Sequence, residues 1–198
     1  KLRWNENEKW FDHDGNGLLF YAVASNEENV VADLLEELKR EFEGEEYSRR
    51  LESRVRKEGF IALGLPGEMT TLMAAMSFGN VEAVSMLLES GANVRSVDVM
   101  GHDSFMCASI FGRPNNLQCW LDRVENWDCN CTDTLFGGTP LSKAVFAGPN
   151  KLETVNILLA TGAMLDFRTF SGGNALTGAV ENEDSDPDVV RIILEKLK

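Results

Sequence analysis

Hydrophobic residues recur along this chain at helical spacing, in pairs of short segments separated by glycine. The clearest pair spans residues 70–94, TTLMAAMSFGNVEAVSMLLESGANV, where a Thr-x-Leu-x-x-Ala opening is followed by Leu87-Leu88 and then by Gly91-Ala92. Such spacing gives each segment an apolar face that only a neighbouring segment can cover. The pattern therefore predicts helix-turn-helix units that stack in series.

The same arrangement returns at a nearly constant interval. The alanines that follow the leucine of each opening are separated by 53, 33, 36 and 35 residues; they are Ala22, Ala75, Ala108, Ala144 and Ala179. A period of about 33 residues is typical of a turn followed by two helices. In the third copy Trp120-Leu121 replaces the Leu-Leu pair, which predicts a larger space for the tryptophan.

These segments resemble the ankyrin repeat family. The residues that carry the resemblance are GGTPL at 137–141 with Ala144, together with Leu158-Leu159 and Gly162-Ala163. Thr-Pro is a favourable helix start, because Thr caps the helix and Pro has no N–H to leave unsatisfied in the first turn. The resemblance implies an all-α ankyrin-repeat solenoid of about five helix-turn-helix units, with a helical insertion after the first unit.

The resemblance also implies the domain organisation. We expect an N-terminal cap segment in which Trp4 and Trp10 cover the open end of the first unit. The stretch after the first unit is highly charged, with Leu38, Phe42, Leu51 and Val55 at roughly helical spacing, and we expect two helical segments broken near Gly44. The expected boundaries are 1–11 for the cap, 12–198 for the array, 12–35, 66–97, 98–132, 133–165 and 166–198 for the units, and 36–65 for the insertion.

Composition and charge narrow the choice of partner. The formal net charge is −13, which disfavours nucleic acid and anionic membranes, because both would be repelled. No apolar run reaches the length of about 18 residues that a membrane span requires. The N-terminus has neither a starting Met nor a signal-peptide core, and four Cys in a chain of 198 residues do not form a disulfide framework. We expect a cytoplasmic or other reducing intracellular location.

One loop is similar to the first half of an EF-hand. Asp12, Asp14 and Asn16 occupy the first, third and fifth positions of such a loop, but the twelfth position is Val23 instead of a bidentate Glu. The alternative explanation is the ankyrin turn, which also uses Asp12 and a following glycine. A calcium-responsive module therefore remains the alternative function, and the structural turn is favoured.

Other chemistry finds little support in the sequence. Cys129-x-Cys131 has one intervening residue, whereas zinc fingers need two or more between paired Cys. The glycine-containing loop 64–71 has no Lys to hold a phosphate, and neither His lies in a recognisable triad motif. We expect no catalytic residues, no metal and no cofactor, and the chain is not expected to be an enzyme.

In the ankyrin family the partner usually binds the concave side, formed by the turn tips and the first helix of each unit. Exposed aromatic residues in such a place indicate an interface, although packing against the turns or the insertion is an alternative. The implied partner-binding residues are Phe78, Ile110, Phe111 and Phe146 on the first helices, and Val99, Met100, His102, Leu135, Phe136 and Phe170 at the turn tips.

These observations predict a non-catalytic protein–protein recognition module that acts as an adaptor, a scaffold or a regulatory part of a larger chain or complex. The expected partner is another protein, a peptide or helix with apolar anchors and basic flanks, and it binds a concave, partly aromatic groove. A third possibility is that the repeats regulate an enzyme whose catalytic domain lies outside this sequence.

Overall fold

The computed structural model describes residues 9–12, 15–55, 67–146, 149–182 and 184–198. These ranges form helices joined by turns. They contain two isolated β-bridges, and none of the described residues forms an extended β-strand. The helices are α1 (Leu18–Ala24), α2 (Glu28–Glu41), α3 (Gly44–Leu51), α4 (Thr71–Phe78), α5 (Val81–Glu89), α6 (Ser104–Ile110), α7 (Pro114–Leu121), α8 (Pro140–Phe146), α9 (Lys151–Ala160), α10 (Ala175–Glu181) and α11 (Pro187–Lys196).

The predicted fold class is confirmed. Five helix pairs follow one another, namely α1/α2, α4/α5, α6/α7, α8/α9 and α10/α11, and α3 is the additional helix of the insertion. By its internal contacts the chain divides into two compact units, each of which holds more than one helix pair. From here on, the first unit is residues 1–99 and the second unit is residues 100–198. The predictions for Trp4, Asp14 and residues 56–65 fall outside the described residues.

Short polar side chains start many of the helices. Thr70, for example, accepts a hydrogen bond from the Met73 backbone N–H at 3.3 Å. At the Thr-Pro sequence, α8 begins at Pro140 and the Thr139 hydroxyl accepts from the Ser142 N–H at 3.2 Å. Each such bond satisfies a backbone donor that the first helical turn leaves without a partner. Similar caps are made by Asn80, Asp103, Asn174 and Asp186.

In the first unit, α1 packs on α2 and α4, and α5 packs on α2 and α4. The helices meet through buried apolar side chains, which include Phe20, Val31, Leu38, Met73 and Leu87. Burial of such side chains is the main source of stability in a repeat that has no other core.

The insertion packs on the first unit through its aromatic and charged residues. Trp10 is buried and lies edge-on to Phe42 at 6.0 Å, and the Arg50 guanidinium lies over the Phe42 ring, 4.2 Å from its centroid. The Tyr47 hydroxyl donates to the Ser90 carbonyl at 2.9 Å. The break near Gly44 has the predicted position, and Gly44 itself begins α3 with a φ of 56°.

The end of the insertion is joined to the connection that follows α5. The Glu52 carboxylate accepts from the Asn93 N–H at 2.6 Å and from the Ser96 hydroxyl at 3.2 Å, and burial raises its pKa despite these bonds. Arg54 donates to the Val97 carbonyl at 2.8 Å. The described part of the insertion is thus a structural element of the first unit.

In the second unit, the first helices α6, α8 and α10 pack in order, and the second helices α7, α9 and α11 do the same. Trp120 on α7 is fully buried, with its ring 6.3 Å from Phe105 and 5.1 Å from Trp127. The larger space predicted for this tryptophan is therefore bounded by two other aromatic residues.

Among the described residues, no helix is both long enough and apolar enough to span a membrane.

Candidate functional site

The turn before α8 is built around the carboxylate of Asp133. This side chain is fully buried, and it accepts the backbone N–H groups of Leu135 (2.9 Å), Phe136 (2.6 Å) and Gly138 (2.8 Å). The Lys143 ammonium completes the set at 2.9 Å. Burial alone would raise the pKa of Asp133, but these hydrogen bonds and the ammonium hold it below its ordinary value. The turn is therefore fixed by one ionised carboxylate.

Successive turn tips of the second unit are joined by backbone hydrogen bonds. The Thr134 N–H donates to the Met100 carbonyl at 3.0 Å, and the Phe170 N–H donates to the Phe136 carbonyl at 2.8 Å. The Phe170 ring lies against Gly137, where a Cβ would come within 2.7 Å of the ring. Gly137 also has a φ of 67°, which glycine adopts without strain. The tips hold Phe136 and Phe170 in fixed positions.

A second aromatic ring rests on a glycine between α8 and α10. Phe146 is the last residue of α8, and a Cβ on Gly178 of α10 would lie 2.6 Å from its Cε2 atom. The ring is nevertheless largely accessible, since Phe146 remains 53% exposed. Asn182 donates to the Phe146 carbonyl at 2.9 Å and ties the two helix ends together. The ring is thus held in place while a large part of it faces solvent.

These features enclose a groove of about 430 Å³ between neighbouring repeats of the second unit. Its floor and walls come from α8, α10 and the two turns that precede them. Such a volume is enough for one or two side chains of a partner. The lining residues are Phe136, Gly138, Ser142, Lys143, Phe146, Thr169, Ser171, Gly173, Asn174, Thr177, Gly178 and Glu181.

The two charged residues of the groove differ in their surroundings. Lys143 is paired with the buried Asp133, and its ammonium also lies 5.2 Å from the centroid of the Phe136 ring. Glu181 is exposed at the last position of α10. Within the described ranges it forms no side-chain hydrogen bond or ion pair. The positive charge is therefore compensated inside the protein, whereas the negative charge faces the groove.

The structure brings some of the predicted partner-binding residues together. Phe136 and Phe146 line the groove, Phe170 packs beside it, and Leu135 is exposed on the same turn as Phe136. Phe170 is the most exposed of them, at 75%. The others do not line this groove: Phe78, Met100, Ile110 and Phe111 are half-buried, and Val99 is exposed.

The prediction that His102 is exposed is wrong. It was expected at an exposed turn tip, but it is only 4% exposed. It lies directly before Asp103, whose carboxylate caps α6 by accepting the Met106 N–H at 2.7 Å. With almost none of its surface exposed, His102 offers no contact area to a partner.

Several groove residues were not predicted. Gly178 and Lys143 are the most important, because one seats the Phe146 ring and the other compensates Asp133. Gly178 had a signal in the sequence. A glycine inside a helix costs about 1 kcal/mol relative to alanine, and its presence there often reflects a close packing contact. Lys143 had no such signal in the sequence, because its pairing with Asp133 depends on how the chain folds.

The loop that is similar to an EF-hand is engaged in its own hydrogen bonds. The Asp12 carboxylate accepts the backbone N–H of Asn16 at 2.8 Å, the Asn16 side-chain amide at 2.9 Å and the Tyr21 hydroxyl at 2.7 Å. Both carboxylate oxygens therefore serve the turn. Asp14 lies outside the described residues.

The four cysteines have different surroundings. Cys107, Cys119 and Cys129 are buried, and Cys131 donates from its thiol to Asp103 at 3.0 Å. Cys129 instead donates to the Thr161 carbonyl at 3.4 Å. The thiols of Cys129 and Cys131 thus bond to different elements. No cluster of metal-ligating side chains occurs in the described parts of the chain.

Stacked two-helix repeats with joined turn tips define a helical repeat protein, a class that presents extended surfaces to other proteins. The family model described as "Ankyrin repeats (3 copies)" matches residues 105–198, and the one described as "Ankyrin repeat" matches residues 68–99. The chain belongs to the ankyrin repeat family, as the sequence pattern predicted. Ankyrin repeats are protein–protein interaction modules.

Among curated proteins, the chain is similar to phosphocholine transferase AnkX of Legionella pneumophila subsp. pneumophila (strain Philadelphia 1). The two are 32% identical over 117 residues, which is 58% of this chain but 12% of that protein. The similarity lies in the repeat region, and the chain covers only a small part of the relative's length.

Proposed function

We propose that this chain is a non-catalytic recognition module that binds another protein through the groove between α8 and α10. In this role it acts as an adaptor, a scaffold or a regulatory part of a larger chain or complex. The partner presents a peptide or helix with apolar anchors, which enter the groove beside Phe146 and Phe136. The turn-tip residues Leu135 and Phe170 extend the contact surface.

The main support for this proposal is that two exposed aromatic rings pack directly against glycine residues. Phe146 lies against Gly178 and Phe170 against Gly137, and both rings are more than half exposed. A ring held in this way loses little side-chain freedom when a partner covers it, so less of the binding free energy is spent on ordering. Large aromatic side chains in such positions are the usual centres of protein interfaces.

Phe146→Ala is expected to reduce capture of the partner about tenfold, because truncating an aromatic anchor commonly costs more than 1 kcal/mol of binding free energy. The experiment is affinity capture from a lysate of the cells that make the protein, with captured proteins quantified by mass spectrometry. Leu197→Ala is the matched control, since Leu197 is 50% exposed and lies outside the groove lining.

The expected result is a set of proteins lost with Phe146→Ala and kept with Leu197→Ala. Circular dichroism establishes that both variants are folded. Equal capture by Phe146→Ala and the unaltered chain would contradict a binding role for the groove.

The similarity to part of a phosphocholine transferase favours one second candidate. In that case these repeats form the recognition part of an enzyme, and the groove binds the enzyme's protein substrate or its catalytic domain. This candidate requires a longer chain, so a native gene product with the 22.0 kDa mass of this sequence would exclude it.

A further inference from the structure

The groove is apolar along its floor and negatively charged at one end. Glu181 closes α10 at this end, and five of the eight residues in 181–188 are acidic, with no Lys or Arg among them. At the other end the charge of Lys143 is already compensated by Asp133 at 2.9 Å. Further along the chain Arg191 pairs with Asp188, and the Lys151 ammonium donates to the Asp184 carbonyl. Within the described ranges Glu181 has no such partner, so a ligand in the groove meets uncompensated negative charge at Glu181.

We propose that the groove selects an extended segment of another protein in which Lys or Arg lies next to an apolar anchor. The anchor contacts the Phe146 ring, and the basic side chain pairs with Glu181. This inference rests on the proposed function, and it adds the chemistry of the bound segment and the spacing of its two key residues.

The spacing of the two partner residues follows from α10. The Phe146 ring contacts this helix at Gly178, three residues before Glu181. Three residues of α-helix rise about 4.5 Å, whereas an extended chain advances about 3.3–3.6 Å per residue. The basic residue therefore lies one or two positions from the apolar anchor.

Alternative ligand chemistries fit less well. An acidic flank would face Glu181, and it would gain little from Lys143, whose ammonium is held by Asp133 and lies over the Phe136 ring at 5.2 Å. An apolar flank would displace water from the Glu181 carboxylate without providing a hydrogen-bond or ion-pair partner, which is unfavourable. A basic flank compensates that charge.

The test uses a library of nine-residue peptides with a central Leu, Met or Phe and randomised neighbours at the four flanking positions. The immobilised full chain selects peptides, and sequencing of the bound pool gives the ratio of basic to acidic residues at each flanking position. An expected enrichment of about fivefold for Lys and Arg corresponds to one partly exposed ion pair. Glu181→Lys should reverse the preference.

The control is Glu195→Lys, which changes the net charge equally on α11, away from the groove lining. It should select the same peptides as the unaltered chain. If the unaltered chain and Glu181→Lys select the same flanking residues, this inference is overturned, while binding of the library that is lost with Phe146→Ala leaves the proposed function intact. If Phe146→Ala binds the library as well as the unaltered chain does, or if neither binds it, both are overturned.

Discussion

Replacing Asp133 with alanine is expected to lower the free energy of unfolding of the second unit by about 3 kcal/mol. The substitution removes the acceptor of three backbone N–H groups and leaves the Lys143 ammonium without its buried partner. Loss of one member of a buried, hydrogen-bonded ion pair costs about 3–5 kcal/mol, and Lys143 can recover part of this because it is not fully buried. Urea denaturation followed by circular dichroism measures the change.

Asp133→Asn tests how much of the effect is due to the negative charge, and Asp122→Ala is a control at an exposed carboxylate. Asp133→Asn keeps an acceptor oxygen for Leu135 and Phe136, so we expect it to lose about half as much stability. Asp122→Ala removes an exposed carboxylate, for which Gln118 is the side-chain donor within the described ranges, and should change stability by no more than about 0.5 kcal/mol. Equal stability of Asp133→Ala and Asp122→Ala would show that the turn does not depend on this carboxylate.

Trp120→Ala is expected to cost about 4 kcal/mol of the same free energy of unfolding. The side chain is fully buried against Phe105 and Trp127, and truncation of a buried Phe or Trp to Ala costs about 3–5 kcal/mol through lost contacts and the cavity that remains. The measurement is urea denaturation under identical conditions.

The control is Trp120→Phe, which should cost much less than Trp120→Ala. Phenylalanine fills most of the space, and the indole N–H that it removes has no hydrogen-bond acceptor among the described residues. If Trp120→Ala unfolded at the same urea concentration as the unaltered chain, the buried aromatic cluster would not be a principal source of stability.

The fold was predictable because its signals are local. Thr139-Pro140 determines where α8 begins, and the repeated Leu-Leu pairs define the buried side of the second helices. A helical repeat needs little information beyond its neighbours, since each unit packs mainly on the adjacent units. Trp120 illustrates the limit of such local signals: its size indicated a larger space, while the identity of its neighbours Phe105 and Trp127 depended on packing.

The candidate site was only partly predictable. Phe136 and Phe146 were identified as surface aromatic residues, and both line the groove. The sequence could not reveal that Phe146 meets Gly178, because 32 residues separate them and only the packing of α8 on α10 joins them. His102 shows the opposite error, since position relative to a turn does not determine burial when the next residue caps a helix.

The most direct test of the central proposal is photo-cross-linking from the groove. A photoreactive amino acid replaces Ser171, which is exposed and lines the groove, or Gln118, which is exposed on α7 outside the groove. The account predicts a protein adduct from position 171 that disappears when Phe146→Ala is added. Adducts from position 118 with none from position 171 would contradict binding at the groove between α8 and α10.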